Sequence, residues 1–196
     1  MDTPSEDQLG HARLAVCLYT IGHGARSAAE FLDVLRAFGV ECIVDVRAYP
    51  GSRRHPHYSR QALASYLDEA GMGYHWLGEA LGGFRRGASM SVHGALSSAS
   101  LRAYAEHMSS AAFRAGIGEL LALARVRPTA MLCAERQPQQ CHRAMISDYL
   151  TVNGIPVIHI LDPAQGLPHR LNPTARWAQD RLLYDRGGRG QLEWEF

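Results

Sequence analysis

Two short apolar runs separated by one amphipathic helix constrain this chain more than any other feature. Residues 14–21 are apolar, few in number and ended by Gly22, and Cys42-Ile43-Val44-Asp45-Val46 is a second run of the same kind. Between them Ser27 stands as a helix cap, Ala28, Phe31, Leu32, Leu35 and Phe38 recur at helical spacing, and Gly39 follows as a stop. Strands that are apolar at consecutive positions are covered on both faces, and a strand, helix, strand unit of this length joins a parallel pair by a right-handed crossover. The fold class expected is α/β, a three-layer, Rossmann-like sandwich around a mostly parallel sheet.

The pattern continues with a helix over 59–70, a strand over 73–77 and helices from 98 to 124 broken near Gly116. A strand at 129–133, a helix over 141–153 stopped by Gly154 and a strand over 157–161 come next. Residues 173–186 read as a last helix. Residues 78–96 carry glycines and no period over a length that connections rarely reach without a role, which makes them a lid or binding loop. Residues 1–12 read as a disordered tail, 13–196 as one α/β domain and 187–196 as a tail able to add an edge strand.

Twenty Lys and Arg against 19 Asp and Glu leave a formal charge of +1, so no global field recruits nucleic acid. Four cysteines are too sparse for a secreted disulfide scaffold, and no segment approaches the ~20 apolar residues of a membrane span. The expected location is the cytoplasm, away from membranes. Oligomeric state is left open.

Ligands of open parallel sheets bind beyond the carboxyl ends of the strands. Here those ends carry His23, then Asp45 and Arg47, then Cys133 and Glu135. The densest group runs from Cys133 through Glu135 and Pro138 to Cys141-His142-Arg143. A cysteine in the first turn of a helix, beside His142 and Arg143, favours its thiolate, which makes Cys141 the candidate reactive thiol. Cys133, at the end of a buried strand, suits a small core residue. Asp45 and Glu135 are candidates for proton transfer, and Arg143 with the helix N–H groups for holding an anion. Each acid could equally serve an ion pair. The loop Arg47-Ala48-Tyr49-Pro50-Gly51-Ser52-Arg53-Arg54-His55-Pro56-His57-Tyr58 adds further anion-binding and stacking groups, and Arg85 and Arg86 could close over the same ligand.

A cysteine phosphatase loop needs an arginine six residues after its cysteine. Gln139 and Ser147 stand at those positions, so that chemistry fails. Rhodanese-like thiol chemistry is a runner-up, because the loop after Cys133 is long and holds a proline. One Cys-His pair without a second knuckle argues against structural zinc, and no metal ligand or cofactor is assigned. A catalytic metal on His23, Cys141 and His142 stays open.

Thr20-Ile21-Gly22-His23, Asp45-Val46-Arg47 with Pro50 and Ser52-Arg53, Leu81-Gly82-Gly83, and Cys133-Ala134-Glu135 with Cys141-His142-Arg143 resemble the domain-of-unknown-function 488 family over residues ~14–160. The resemblance implies a compact α/β sandwich. It maps shared polar positions onto His23, Asp45, Arg47, Ser52, Arg53, Cys133, Glu135, Cys141, His142 and Arg143. Gly24 departs from it, since the family usually has serine there.

The functional expectation is an enzyme, a hydrolase or transferase, acting on a phosphate-bearing or nucleic-acid-derived ligand. Asp45, Glu135, Cys141 and His142 would be its catalytic groups, with His23, Arg47, Ser52, Arg53, Cys133 and Arg143 binding the ligand. The alternatives are a non-catalytic nucleotide or single-stranded nucleic-acid module, rhodanese-like thiol chemistry, and a purely structural ion-pair network.

Overall fold

The computed structural model describes residues 16–51, 54–86 and 91–185. Ser52, Arg53 and the expected tails at 1–12 and 187–196 lie outside these. Strands β1 (Leu18–Gly22), β2 (Cys42–Asp45), β3 (Gly73–Trp76), β4 (Thr129–Cys133), β5 (Val157–Asp162) and β6 (Gln165–Pro168) form a sheet in the order β3-β2-β4-β1-β5-β6. All its pairings are parallel except that of β6 with β5.

Alternation along the strands sorts their side chains into two cores. Ile21, Ile43, Ala130, Leu132 and Ile160 pack under helices α1 (Ala28–Ala37) and α2 (Arg60–Glu69). Leu18, Val44, Val46, Met131 and Cys133 pack on the other face. That face is covered by α3 (Gly78–Leu81), α4 (Ala99–His107), α5 (Ala111–Ala124) and α6 (His142–Val152). The result is the expected three-layer α/β sandwich. No helix among the described residues is long and apolar enough to cross a membrane.

Helix α1 begins with a capping box, Ser27 accepting from the Glu30 N–H while Glu30 accepts from the Ser27 N–H at 2.7 Å. Two expectations are corrected. The break between α4 and α5 falls at 108–110, where Ser110 caps the new helix by accepting from the Phe113 N–H at 3.1 Å. Gly116 is helical, and its bare Cα lets α3 approach, since a Cβ there would lie 2.7 Å from that of Ala80. Residues 173–186 hold a hairpin of β7 (Ala175–Ala178) and β8 (Arg181–Tyr184) instead of a helix. Its two-residue turn has φ of +52° at Gln179 and +57° at Asp180, the positive values that a type I′ turn requires.

A buried polar chain ties five segments together. Thr20 Oγ1 lies 2.7 Å from His159 Nδ1, His159 Nε2 lies 2.9 Å from His169 Nδ1, and His169 Nε2 lies 2.8 Å from Asp148 Oδ1. Tyr184 donates to the other Asp148 oxygen at 2.8 Å. The carboxylate only accepts, so His169 carries a proton on Nε2. His159 bridges Thr20 and His169 through its two ring nitrogens, one donating and the other accepting.

Burial, helped by the neighbouring His169 and Arg143, pushes the His159 pKa down to about 3. The unfolded chain takes up a proton near pH ~6.5 that the folded chain refuses until far lower. Stability is therefore complete above pH ~6.5 and falls as the pH drops towards 3, by about 2 kcal/mol at pH 5. A pH series of Tm should show this acid limb, and His159→Gln should flatten it. An unchanged limb in that variant would assign the loss to other groups.

Candidate functional site

Parallel pairing of β1, β2 and β4 brings their carboxyl ends to one edge, with Gly22 opposite Cys133 in register. The backbone stitches the loops beyond: His23 N donates to the Cys133 carbonyl at 3.0 Å and Gly24 N to that of Ala134 at 2.9 Å. Gly24 has φ +56°, a left-handed conformation that glycine adopts at no steric cost. The residue that departs from the family resemblance thus suits its backbone.

A pocket of about 410 Å³ opens on this edge, lined among others by His23, Cys133, Glu135, Cys141, His142 and Phe84. Strand alternation turns the Cys133 sulfur to the α6 side, where Cys141 stands at the N-cap of α6. Cys141 makes no side-chain capping bond; its sulfur faces His142 instead. His142 Nδ1 lies 3.6 Å from Cys141 Sγ and 4.0 Å from Cys133 Sγ.

The far side of that ring fixes its orientation. His142 Nε2 lies 3.0 Å from the Val46 carbonyl oxygen, which can only accept, so Nε2 carries a proton and Nδ1 is the nitrogen that faces the sulfurs. Gly83 packs against the ring, and a Cβ there would overlap Nδ1 and lie 2.6 Å from Cγ.

The two thiols compete for one proton. Cys133 is held well below the ordinary thiol range because Cys141 donates a hydrogen bond to it, with His142 and Arg143 adding to the effect against burial. Cys141, as the partner that keeps the proton, is pushed up by that bond and by burial. The hydrogen bond thus favours the thiolate on Cys133, beside the candidate thiol Cys141.

Arg47 is committed to the fold, and Arg143 is so through Nη2 alone, its Nε and Nη1 being buried without partners among the described residues. Arg47 meets both oxygens of Asp45, Nε at 2.9 Å and Nη2 at 2.6 Å, while its Nη1 donates to the Tyr58 carbonyl. Asp45 also accepts from the Arg47 N–H and the Tyr74 hydroxyl. Alternation with Ile43 puts Asp45 on the α1/α2 side, across the sheet from the thiols, so no oxygen is left for the proton-transfer role expected of it. Arg143 is 1 % exposed and its Nη2 donates to the carbonyls of Glu135 and Arg136, at 2.6 and 2.9 Å. It clamps the loop between the two cysteines, and burial lowers its pKa. Arg85 bonds backbone carbonyls of its own segment, at Gly82 and Glu79.

The family model for the domain of unknown function DUF488 matches residues 27–150, which include Cys133, Cys141, His142 and Gly83. The chain belongs to the DUF488 family. No curated protein and no solved structure matches it.

Within this DUF488 fold the sequence-predicted residues divide into three groups. His23, Arg47, Cys133, Glu135, Cys141 and His142 reach the pocket. Asp45 and Arg143 stand behind it as supports, and Ser52 and Arg53 lie outside the described residues. His23 is stacked on Tyr58 with ring centroids 4.0 Å apart and bonds the Gly24 carbonyl through Nδ1. Burial pushes its pKa down to about 4, so the ring is neutral. The metal set left open as His23, Cys141 and His142 is also corrected, because the clustered donors are Cys133, Cys141 and His142. Tyr58, expected as a stacking group of the 47–58 loop, stacks on His23; the Val46 carbonyl was not anticipated, since no residue type marks a backbone acceptor in advance.

Proposed function

We propose that the protein is an enzyme, a hydrolase or transferase, whose reacting groups are the paired sulfurs of Cys133 and Cys141 and the imidazole of His142. One observation carries this reading: two sulfurs and an oriented imidazole nitrogen converge on a pocket large enough for a small molecule. Glu135 at the rim is the carboxylate available for proton transfer, exposed and lining the same pocket. Tyr49 and Phe84, both exposed and edge-to-face at 5.9 Å, offer a surface for a flat or apolar part of the substrate. Arg47 is taken up by Asp45 and the Tyr58 carbonyl, whereas Arg143 uses only Nη2 on the loop and leaves Nε and Nη1 without partners among the described residues, behind the pocket. We place the protein in the reducing cytoplasm, which keeps all four cysteines as thiols.

Alkylation tests the reading without knowledge of the substrate. In reduced, chelator-treated protein, iodoacetamide should modify Cys133 about tenfold faster than Cys17 or Cys42 at neutral pH, and Cys141→Ala should abolish that advantage. Cys17 is the most exposed of the four and Cys42 is fully buried, both with thiols raised by burial. Modification that simply follows exposure, with Cys17 first, would overturn the reading.

A further inference from the structure

The geometry points to a resident metal at this site: Cys133, Cys141 and His142 hold one thiophilic divalent cation of the zinc class, with its fourth position open to the pocket. The inference rests on the reading of this pocket as the reacting centre and supplies its cofactor.

Four observations converge. The two sulfurs and one imidazole nitrogen lie within 4.8 Å of one another, and no other such group of three occurs among the described residues. Tetrahedral zinc has arms of about 2.3 Å to sulfur and about 2.0–2.1 Å to nitrogen, which sets a sulfur-to-nitrogen separation of about 3.6 Å. The separations here are 3.6 and 4.0 Å, so the sulfurs need little movement to close on an ion.

The imidazole is also prepared for coordination. Metal-binding histidines give their other N–H to a carbonyl or carboxylate, and His142 gives its Nε2 proton to Val46 O while Nδ1 faces the sulfurs. Cys141 occupies a helix N-cap yet leaves the cap unmade, its sulfur turned to the same point. Finally, all three donors line the pocket, so three protein ligands and one open position, the pattern of catalytic rather than structural zinc, result.

Charge refines the class of ligand. A divalent ion on two thiolates is neutral, and the buried Arg143 alongside leaves one positive charge, which suits an anionic atom of the substrate at the fourth position.

Full-length protein, stripped by chelator under a non-thiol reductant, is titrated with cobalt(II) and separately with zinc. We expect one ion per chain, a thiolate-to-cobalt charge-transfer band, and the intense visible bands of tetrahedral cobalt. Cys133→Ser, Cys141→Ser and His142→Ala should each weaken binding by more than about a hundredfold, beyond the losses typical of groups that only orient a ligand. Gly83→Ala removes no ligand and drives a methyl into the imidazole; it should weaken cobalt binding in a protein with unchanged circular dichroism.

A folded protein that shows no charge-transfer band, or binds cobalt equally well without either cysteine, overturns the proposal. Iodoacetamide on the stripped protein separates the two claims. Selective Cys133 modification without cobalt binding would leave the thiol centre standing and remove the metal, whereas loss of both would remove the site altogether.

Discussion

Asp45→Ala should lower stability by about 3–5 kcal/mol, the range found when one member of a buried ion pair is removed. Arg47 is 7 % exposed, and without the carboxylate its guanidinium keeps a single bond, to the Tyr58 carbonyl. The substitution also strips the acceptor from the Tyr74 hydroxyl and from the Arg47 N–H. Urea unfolding reads the effect directly. Asp45→Asn should cost less, since an amide oxygen still accepts, although the charge is gone. A variant within about 1 kcal/mol of the parent would contradict the assignment of Asp45 to the framework.

Gly22→Ala should be at least as damaging, for a different reason. A methyl at this position overlaps the Glu135 carbonyl oxygen and comes within 2.8 Å of Arg143 Nη1. The first clash is with backbone, so the loop between Cys133 and Cys141 must move away from β1. Overpacking alone costs about 1–3 kcal/mol. Loss of one charge-assisted bond from Arg143 adds about 1.5–3 kcal/mol, which gives a loss of about 4 kcal/mol. Whatever fraction folds should also lose the fast alkylation of Cys133, because the loop sets the approach of the two sulfurs. Parent-like stability together with parent-like alkylation would show that the loop is not held against β1 as described.

The legible part of this molecule was the part written in apolar periods and strand ends. The run-helix-run at the start gives a parallel pair, and polar residues just past each strand mark the edge where the pocket opens. Four things escaped that reasoning. Strand parity, which sends Asp45 and Cys133 to opposite faces, can be counted only once the register of β2 against β4 is known. The partition of one proton between Cys133 and Cys141 depends on which sulfur receives the hydrogen bond, a contact that helix position does not reveal. The hairpin at 175–184 lacks the Asn-Gly or Asp-Gly turn that announces such loops, because Gln179 and Asp180 take the left-handed positions. The chain of Thr20, His159, His169 and Asp148 was likewise out of reach, since its members are separated in sequence and their spacing carries no period.

The strand order also has a consequence for how the chain is made. β2 can pair with β3 as soon as α2 between them has formed, but β1 sits between β4 and β5, so Leu18 waits for Thr129 and Val157. Ribosomes add ~5–20 residues per second, which leaves β1 without either neighbour for on the order of ten seconds. During that interval an apolar strand with two unpaired edges is the segment of the nascent chain most in need of a chaperone. Both cysteines of the pocket emerge only as that wait ends.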